Sequence, residues 1–144
     1  MLTGLVNRDK DEKVYVTVQN MEGATITTGL PVAYVQGNSM DGAGAVIANA
    51  AADYPGFAGV AFKDIPRNGY GLIQISGFVA SVLISNVGSS ITINVGDPLV
   101  PAPVGFFSAA PTYANSGFKW VAAASNVPAA VSAAAYVSGL IKTI

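Results

Sequence analysis

The stretch from Gly56 to Pro101 constrains the fold most, because short apolar runs alternate there with turn residues. Residues 72–76, 78–84 and 91–95 are each as long as a β-strand and rich in Ile and Val. Glycine, asparagine and proline separate the runs. Such strands bury one face each by closing into a barrel or a sandwich. The sequence therefore predicts a mainly β fold, a compact barrel or a small sandwich, with short helical segments.

Composition limits the partners that the chain can bind. Its 144 residues fit one domain, and only 10% of them are charged while 51% are hydrophobic. We therefore expect a partner to bury part of the surface. The net charge of -1 and the scattered basic residues argue against nucleic-acid binding.

The absence of cysteine and histidine removes most reactive chemistry. Disulfides, thiolate nucleophiles, imidazole bases and nearly all zinc or copper sites need one of these residues. We expect no catalytic residue, no metal and no cofactor, and hence no enzyme.

The N-terminus carries the densest charge, six consecutive charged residues at positions 8–13. They indicate either a solvated terminus or an arm, residues 1–13, that orders on a partner ahead of a single domain at 14–144. In the second interpretation the candidate contacts are Leu2, Leu5, Val6, Arg8 and Lys10. No secretory signal is visible, and residues 121–141 are too interrupted by Asn126, Pro128 and serines to predict a membrane span.

A short repeat suggests two similar halves. Residues 14–18 alternate as VYVTV, which predicts a strand with one buried face. Residues 25–35 and 92–100 then share an outline of Thr-Ile, a glycine, one further residue and a proline. Glycine permits a tight turn and proline begins an edge strand, so a strand-turn-strand unit used twice predicts a barrel of two halves.

Alanine-rich segments predict the helical pieces. Residues 36–55 read as a loop with a brief helix at 43–52, because alanine is the best helix former. Residues 127–135 read as a helical turn or two. Strands are predicted at 118–121 and, closing the sheet, at 136–144.

Two carboxylates lie near the central strands, Asp64 and Asp97. A carboxylate pair can perform acid and base catalysis, but both aspartates stand in turn sequences, which favours capping. The aromatic residues of the C-terminal third are either core or a contact patch; as subunit-interface candidates we take Phe106, Phe107, Tyr113 and Trp120.

A series of short motifs follows residue 58 in the order Gly59-Val60-Ala61, Asp64-Ile65, Gly69 to Gly71, Ile73-Gln74-Ile75, Gly77-Phe78-Val79 and Gly96-Asp97. Their order and spacing resemble the capsid cement, or head-decoration, proteins of tailed bacteriophages. The resemblance covers residues 28–100 in detail and the rest loosely. The link at 84–93 and the N-terminal charge cluster depart from it.

That resemblance implies a compact β-barrel or β-tulip-like fold and a structural protein on the outer surface of the virion. It implies a homotrimer that binds the major capsid protein at three-fold or quasi-three-fold sites and stabilises the shell. One alternative is a receptor- or glycan-binding β domain of a fibre, stacking Tyr54, Tyr70, Tyr113 and Trp120 on a ligand. Another, a small nucleotide hydrolase, lacks an aspartate in a polar motif.

Overall fold

The computed structural model describes residues 12–35, 43–49, 56–84, 94–102, 105–108, 120–123 and 135–143. Within them the chain forms strands and turns and no α-helix, and nothing there is a helix long and apolar enough to cross a membrane. The mainly β prediction is therefore confirmed. The nine strands are β1 Val14–Asn20, β2 Pro31–Tyr34, β3 Gly44–Ile47, β4 Phe57–Ala61, β5 Tyr70–Ile84, β6 Pro98–Ala102, β7 Gly105–Ser108, β8 Trp120–Ala123 and β9 Ala135–Lys142.

The first five strands close into a ring. Their order is β1-β3-β2-β4-β5, and β5 returns to pair with β1. The β1–β3 pair is parallel, with Asn20 opposite Ala45, and the other four pairs are antiparallel. Closure removes the unpaired edges that an open sheet of these strands would expose.

The last five strands close into a second ring with the same connectivity. Its order is β5-β7-β6-β8-β9, and β9 returns to β5. The pair that joins its first and third strands is again the parallel one, with Ile84 opposite Phe106. The remaining pairs are again antiparallel. The chain is thus one five-strand pattern used twice, and β5 serves as the last strand of the first ring and the first strand of the second.

The repeated sequence motif forms the same turn in both rings. Leu30 N–H donates to the Thr27 carbonyl at 3.2 Å, and Asp97 N–H donates to the Asn94 carbonyl at 3.1 Å. The third turn residues, Gly29 and Gly96, have φ of 84° and 90°, as a type II turn requires. A proline then begins β2 and β6. The prediction of two similar halves is confirmed, but each half closes into its own ring instead of both forming one barrel.

A bend at Gly77 lets β5 serve both rings. The prediction of two separate strands at 72–76 and 78–84 was wrong, because the chain runs on through a glycine at φ 97°. A Cβ at this position would lie 2.1 Å from the Glu12 carbonyl oxygen, so only glycine fits. The buried Gln74 amide spans the bend, donating to the carbonyls of Ser76 at 3.1 Å and Phe78 at 2.9 Å. The side chain thus satisfies one backbone carbonyl on each side of the bend.

Each ring has its own apolar core, and β4 contributes to both. Its residues are all buried. Ala58 and Ala61 pack in the first-ring core with Ile65 and Ile73, whereas Phe57 and Val60 pack in the second-ring core with residues such as Val82, Leu99 and Ile141. A strand buried on both faces ties the two cores together, because neither face can be solvated without opening a core.

Tertiary packing overrides two local predictions. The helix expected at 43–52 is wrong where the structure describes it, since residues 44–47 form β3 and Ala45 is fully buried beside Tyr34 of β2. Of the strand expected at 91–95, residues 94 and 95 lie instead in the turn at 94–97, and residues 91–93 lie outside the described part. The closing strand is confirmed as β9. The strand expected at 118–121 begins at Trp120 in the described part, and most of 127–135 lies outside it.

Candidate interaction surface

The two aspartates near the central strands cap turns. The Asp97 carboxylate accepts from Asn94 N–H at 2.8 Å and so closes its own turn, as predicted. Asp64 instead caps the neighbouring turn, accepting from the Thr28 N–H and hydroxyl, both at 2.8 Å. The backbone bond first, and the hydroxyl bond second, hold the pKa of the Asp64 carboxyl below its ordinary value. Among the described residues no three His, Cys, Asp or Glu side chains cluster as metal ligands.

An exposed apolar surface lies on the outside of the first ring, along β1 and the first part of β5. Alternation puts Val16 and Val18 toward the core and turns Tyr15 outward, as the VYVTV pattern predicted. On β5 the outward residues are Tyr70 and Leu72, whose strand partners on β1 are Gln19 and Thr17. Phe62, directly after β4, donates its N–H to the Leu72 carbonyl at 3.0 Å. We call Tyr15, Phe62, Tyr70 and Leu72 the aromatic face.

The side chains of the aromatic face are organised. The rings of Tyr15 and Phe62 meet edge to face, with centroids 4.9 Å apart and planes at 63°. Such a pair contributes about 0.5–1.5 kcal/mol beyond its burial, which helps to order both rings. Tyr70 is 69% exposed, and Phe62 and Leu72 are each 41% exposed. Clustered apolar exposure of this kind is typical of protein-protein contact sites.

Basic groups border the aromatic face. Lys63 places Nζ 5.8 Å from the Phe62 ring centroid, and Lys13 lies at the same distance from Phe78, near the beginning of β1. Arg67 is exposed in the turn that leads to Tyr70. Opposite charge on a partner would therefore complement this rim, and long-range attraction would affect the association rate most.

The second ring presents a weaker version of this surface. Tyr70 pairs with Gln19, the residue before Asn20 of the parallel pair Asn20–Ala45. Tyr136 pairs with Leu83, the residue before Ile84 of the parallel pair Ile84–Phe106. The two tyrosines are therefore equivalent. Tyr136 is 54% exposed and lies against the Gly29 turn, where a Cβ would be 3.1 Å from its Cε1. Its strand neighbour at the position equivalent to Leu72 is Ser138.

A buried asparagine holds the loops below the aromatic face. Asn20 is fully buried, and its Nδ2 donates to the carbonyls of Ala24 at 2.9 Å and Ile65 at 2.8 Å. Its Oδ1 accepts from Glu22 N–H at 2.7 Å. The sequence predicts only a turn here, because the partner at Ile65 lies 45 residues away.

The structure describes only some of the predicted contact residues. Leu2, Leu5, Val6, Arg8, Lys10 and Tyr113 lie outside the described residues. Phe106 and Phe107 lie in β7 and Trp120 lies in β8, and these two strands flank β6 in the second ring. Of the aromatic face, sequence reasoning had named only Tyr70, as a ligand-stacking candidate. The alternation of Tyr15 with core valines was the signal that could have found more.

Comparisons with known proteins give little beyond this geometry. No family model matches the chain, and no curated protein matches it. Among solved structures it is similar to the N-terminal base of the head fibre protein gp8.5 of bacteriophage phi29, with 17% identity and a TM-score of 0.47 over 92% of this chain and 96% of that one. At this level the likeness carries no argument about family or activity.

Proposed function

We propose that this chain is a structural, non-enzymatic protein that attaches to the outside of a phage head and stabilises the shell. The observation that carries attachment to protein is the aromatic face, an ordered apolar surface on a framework of closed rings. The choice of a phage head depends on the resemblance of residues 28–100 to capsid cement proteins. The low charge content supports burial rather than reaction as the working chemistry.

In this proposal the partner is the major capsid protein. Homotrimers sit at three-fold or quasi-three-fold positions, and each trimer bridges neighbouring capsid subunits. Many modest interfaces then resist outward pressure together, because each bridge converts a second contact into an effectively intramolecular one. The aromatic face supplies the apolar centre of the contact, and Lys63 and Arg67 pair with carboxylates at its rim.

Co-sedimentation with undecorated, expanded capsids tests the proposal. We expect saturable binding at a fixed ratio to the major capsid subunit, and at least about tenfold weaker binding when Tyr70 and Phe62 are both changed to Ser. The matched control is Tyr136→Ser, at the equivalent position of the second ring, which should bind like the parent. Absence of co-sedimentation, or an equal loss in the control, would contradict the assignment. The mass in solution from sedimentation tests the trimer.

One observation favours a second candidate, a glycan-binding β domain of a fibre. Tyr70 is the most exposed of the large apolar side chains in the described residues, and an exposed tyrosine can stack on a sugar ring. A glycan array then shows binding that Tyr70→Ser abolishes and Tyr136→Ser does not.

A further inference from the structure

The turn that precedes the aromatic face contains the only Asn-Gly dipeptide of the chain, Asn68-Gly69. Asn68 has φ of 59° and is the one non-glycine residue in the left-handed region among those described. Asparagine tolerates that region better than most side chains. A Cβ at Gly69 would lie 2.7 Å from Cγ of Pro66, so the position requires glycine. Packing thus imposes a dipeptide that is chemically labile.

We propose that Asn68 is a deamidation site whose reaction the folded turn slows. The Gly69 nitrogen attacks Cγ of Asn68, a C–N bond forms, and the side-chain nitrogen leaves as ammonia with the proton that Gly69 loses. Water then opens the succinimide and gives aspartate or isoaspartate. The reaction needs no enzyme and no reactant other than water.

Three backbone hydrogen bonds hold the reacting groups apart. Gly69 N–H donates to the Pro66 carbonyl at 2.8 Å, so the nucleophilic nitrogen is occupied. Asn68 N–H donates to the Asn20 carbonyl at 3.0 Å, and Asn20 N–H donates to the Gly69 carbonyl at 2.8 Å. Attack requires rotation of the Asn68-Gly69 peptide, which breaks these bonds. Their combined opening slows the reaction on the order of 100-fold relative to the unfolded chain.

The product is incompatible with the turn. Isoaspartate routes the backbone through the side chain and adds one carbon between the two peptide groups that bind Asn20. Those two hydrogen bonds cannot then form together at their present spacing. A copy that reacts while unfolded is therefore excluded from the native state, so the site distinguishes chains that have been unfolded for long from those that have not.

The test follows deamidation of the intact protein at mildly alkaline pH, with and without guanidinium chloride. Chymotrypsin releases the peptide 63–70, in which Asn68 is the only amide side chain. We expect its deamidated form to accumulate about 100-fold more slowly in the folded protein. The variant Asn68→Gly, which tolerates the same φ, should fold and give no mass gain in either condition. Equal rates in folded and unfolded protein overturn the proposal.

Refolding separates the backbone change from the charge change. Reacted chains are purified in denaturant, their isoaspartate is quantified by enzymatic methyl transfer, and the denaturant is diluted out. We expect the isoaspartate fraction to fail to regain native Trp120 fluorescence, while Asn68→Asp, with a normal backbone, regains it. Equal recovery of the two refutes the exclusion of reacted chains from the native state.

Discussion

Replacing Gly29 and Gly96 by alanine, one at a time, measures how firmly the first-ring turn is packed on β5. The two glycines occupy the same turn position with nearly the same φ, so the backbone strain of alanine is equal, about 1–2 kcal/mol. At Gly96 an added Cβ meets none of the described residues within 4 Å, so no clash adds to that strain. At Gly29 it would lie 2.9 Å from the Ser81 carbonyl oxygen and 3.0 Å from the Leu83 nitrogen.

Those two contacts determine how much more stability Gly29→Ala loses than Gly96→Ala. Both atoms belong to the backbone of β5, which pairs with four other strands and cannot move aside cheaply. Overpacking of this kind adds about 1–3 kcal/mol. We therefore expect Gly29→Ala to lower the free energy of unfolding by about 2 kcal/mol more than Gly96→Ala does.

Urea unfolding, followed by the fluorescence of the single tryptophan and by far-UV circular dichroism, gives both free energies. The difference corresponds to a melting temperature lower by roughly 8 °C for a chain of this size. The control Gly23→Ala, where a Cβ meets none of the described residues and φ is not left-handed, should be close to neutral. Equal losses for Gly29→Ala and Gly96→Ala would refute the claim that the first turn rests on β5.

Three other substitutions test separate parts of the fold. Asn20→Ala leaves three backbone groups without their side-chain partner and should lower the free energy of unfolding by about 2–4 kcal/mol in urea titrations. Thr28→Val should raise the pKa of Asp64 toward its ordinary value, measured by NMR titration. Because the folded pKa is the lower one, the stability lost in this variant should be constant above pH of about 4 and shrink as the pH falls through the folded pKa. Phe57→Ala should cost about 3–5 kcal/mol and lower hydrogen-exchange protection in both rings, whereas the exposed Leu140→Ala should change little.

Local chemistry made much of the fold predictable. The Thr-Ile and Gly-X-Pro outline is readable because a glycine turn and a strand-initiating proline depend on neighbouring residues alone. The valines of β1 alternate because Val18 is buried in the first-ring core and Val14 and Val16 pack against that core. The Asp97 cap follows in the same way from its own turn sequence, whereas Asp64 caps the turn at Thr28, 36 residues away.

The features that the sequence predicted wrongly or not at all share one cause, which is contact between distant residues. Ala45 belongs to a strand because β1 and β2 bind it on both sides, against its own helix propensity. Gly77 reads as a strand end, although Gln74 bridges the bend and lets β5 continue. The aromatic face arises where β1, β4 and β5 meet, so no single stretch of sequence contains it.

Sharing β5 makes this protein extensible in principle and indivisible in practice. Two domains joined by a linker can be separated, exchanged or lost during evolution. Here a cut through the shared strand β5 would take a strand away from both rings. Growth is the easier path, since a longer final strand could begin a third ring just as β5 begins the second. A chain of this design would then grow by adding rings in a row, with each pair of neighbouring rings connected rigidly by one shared strand.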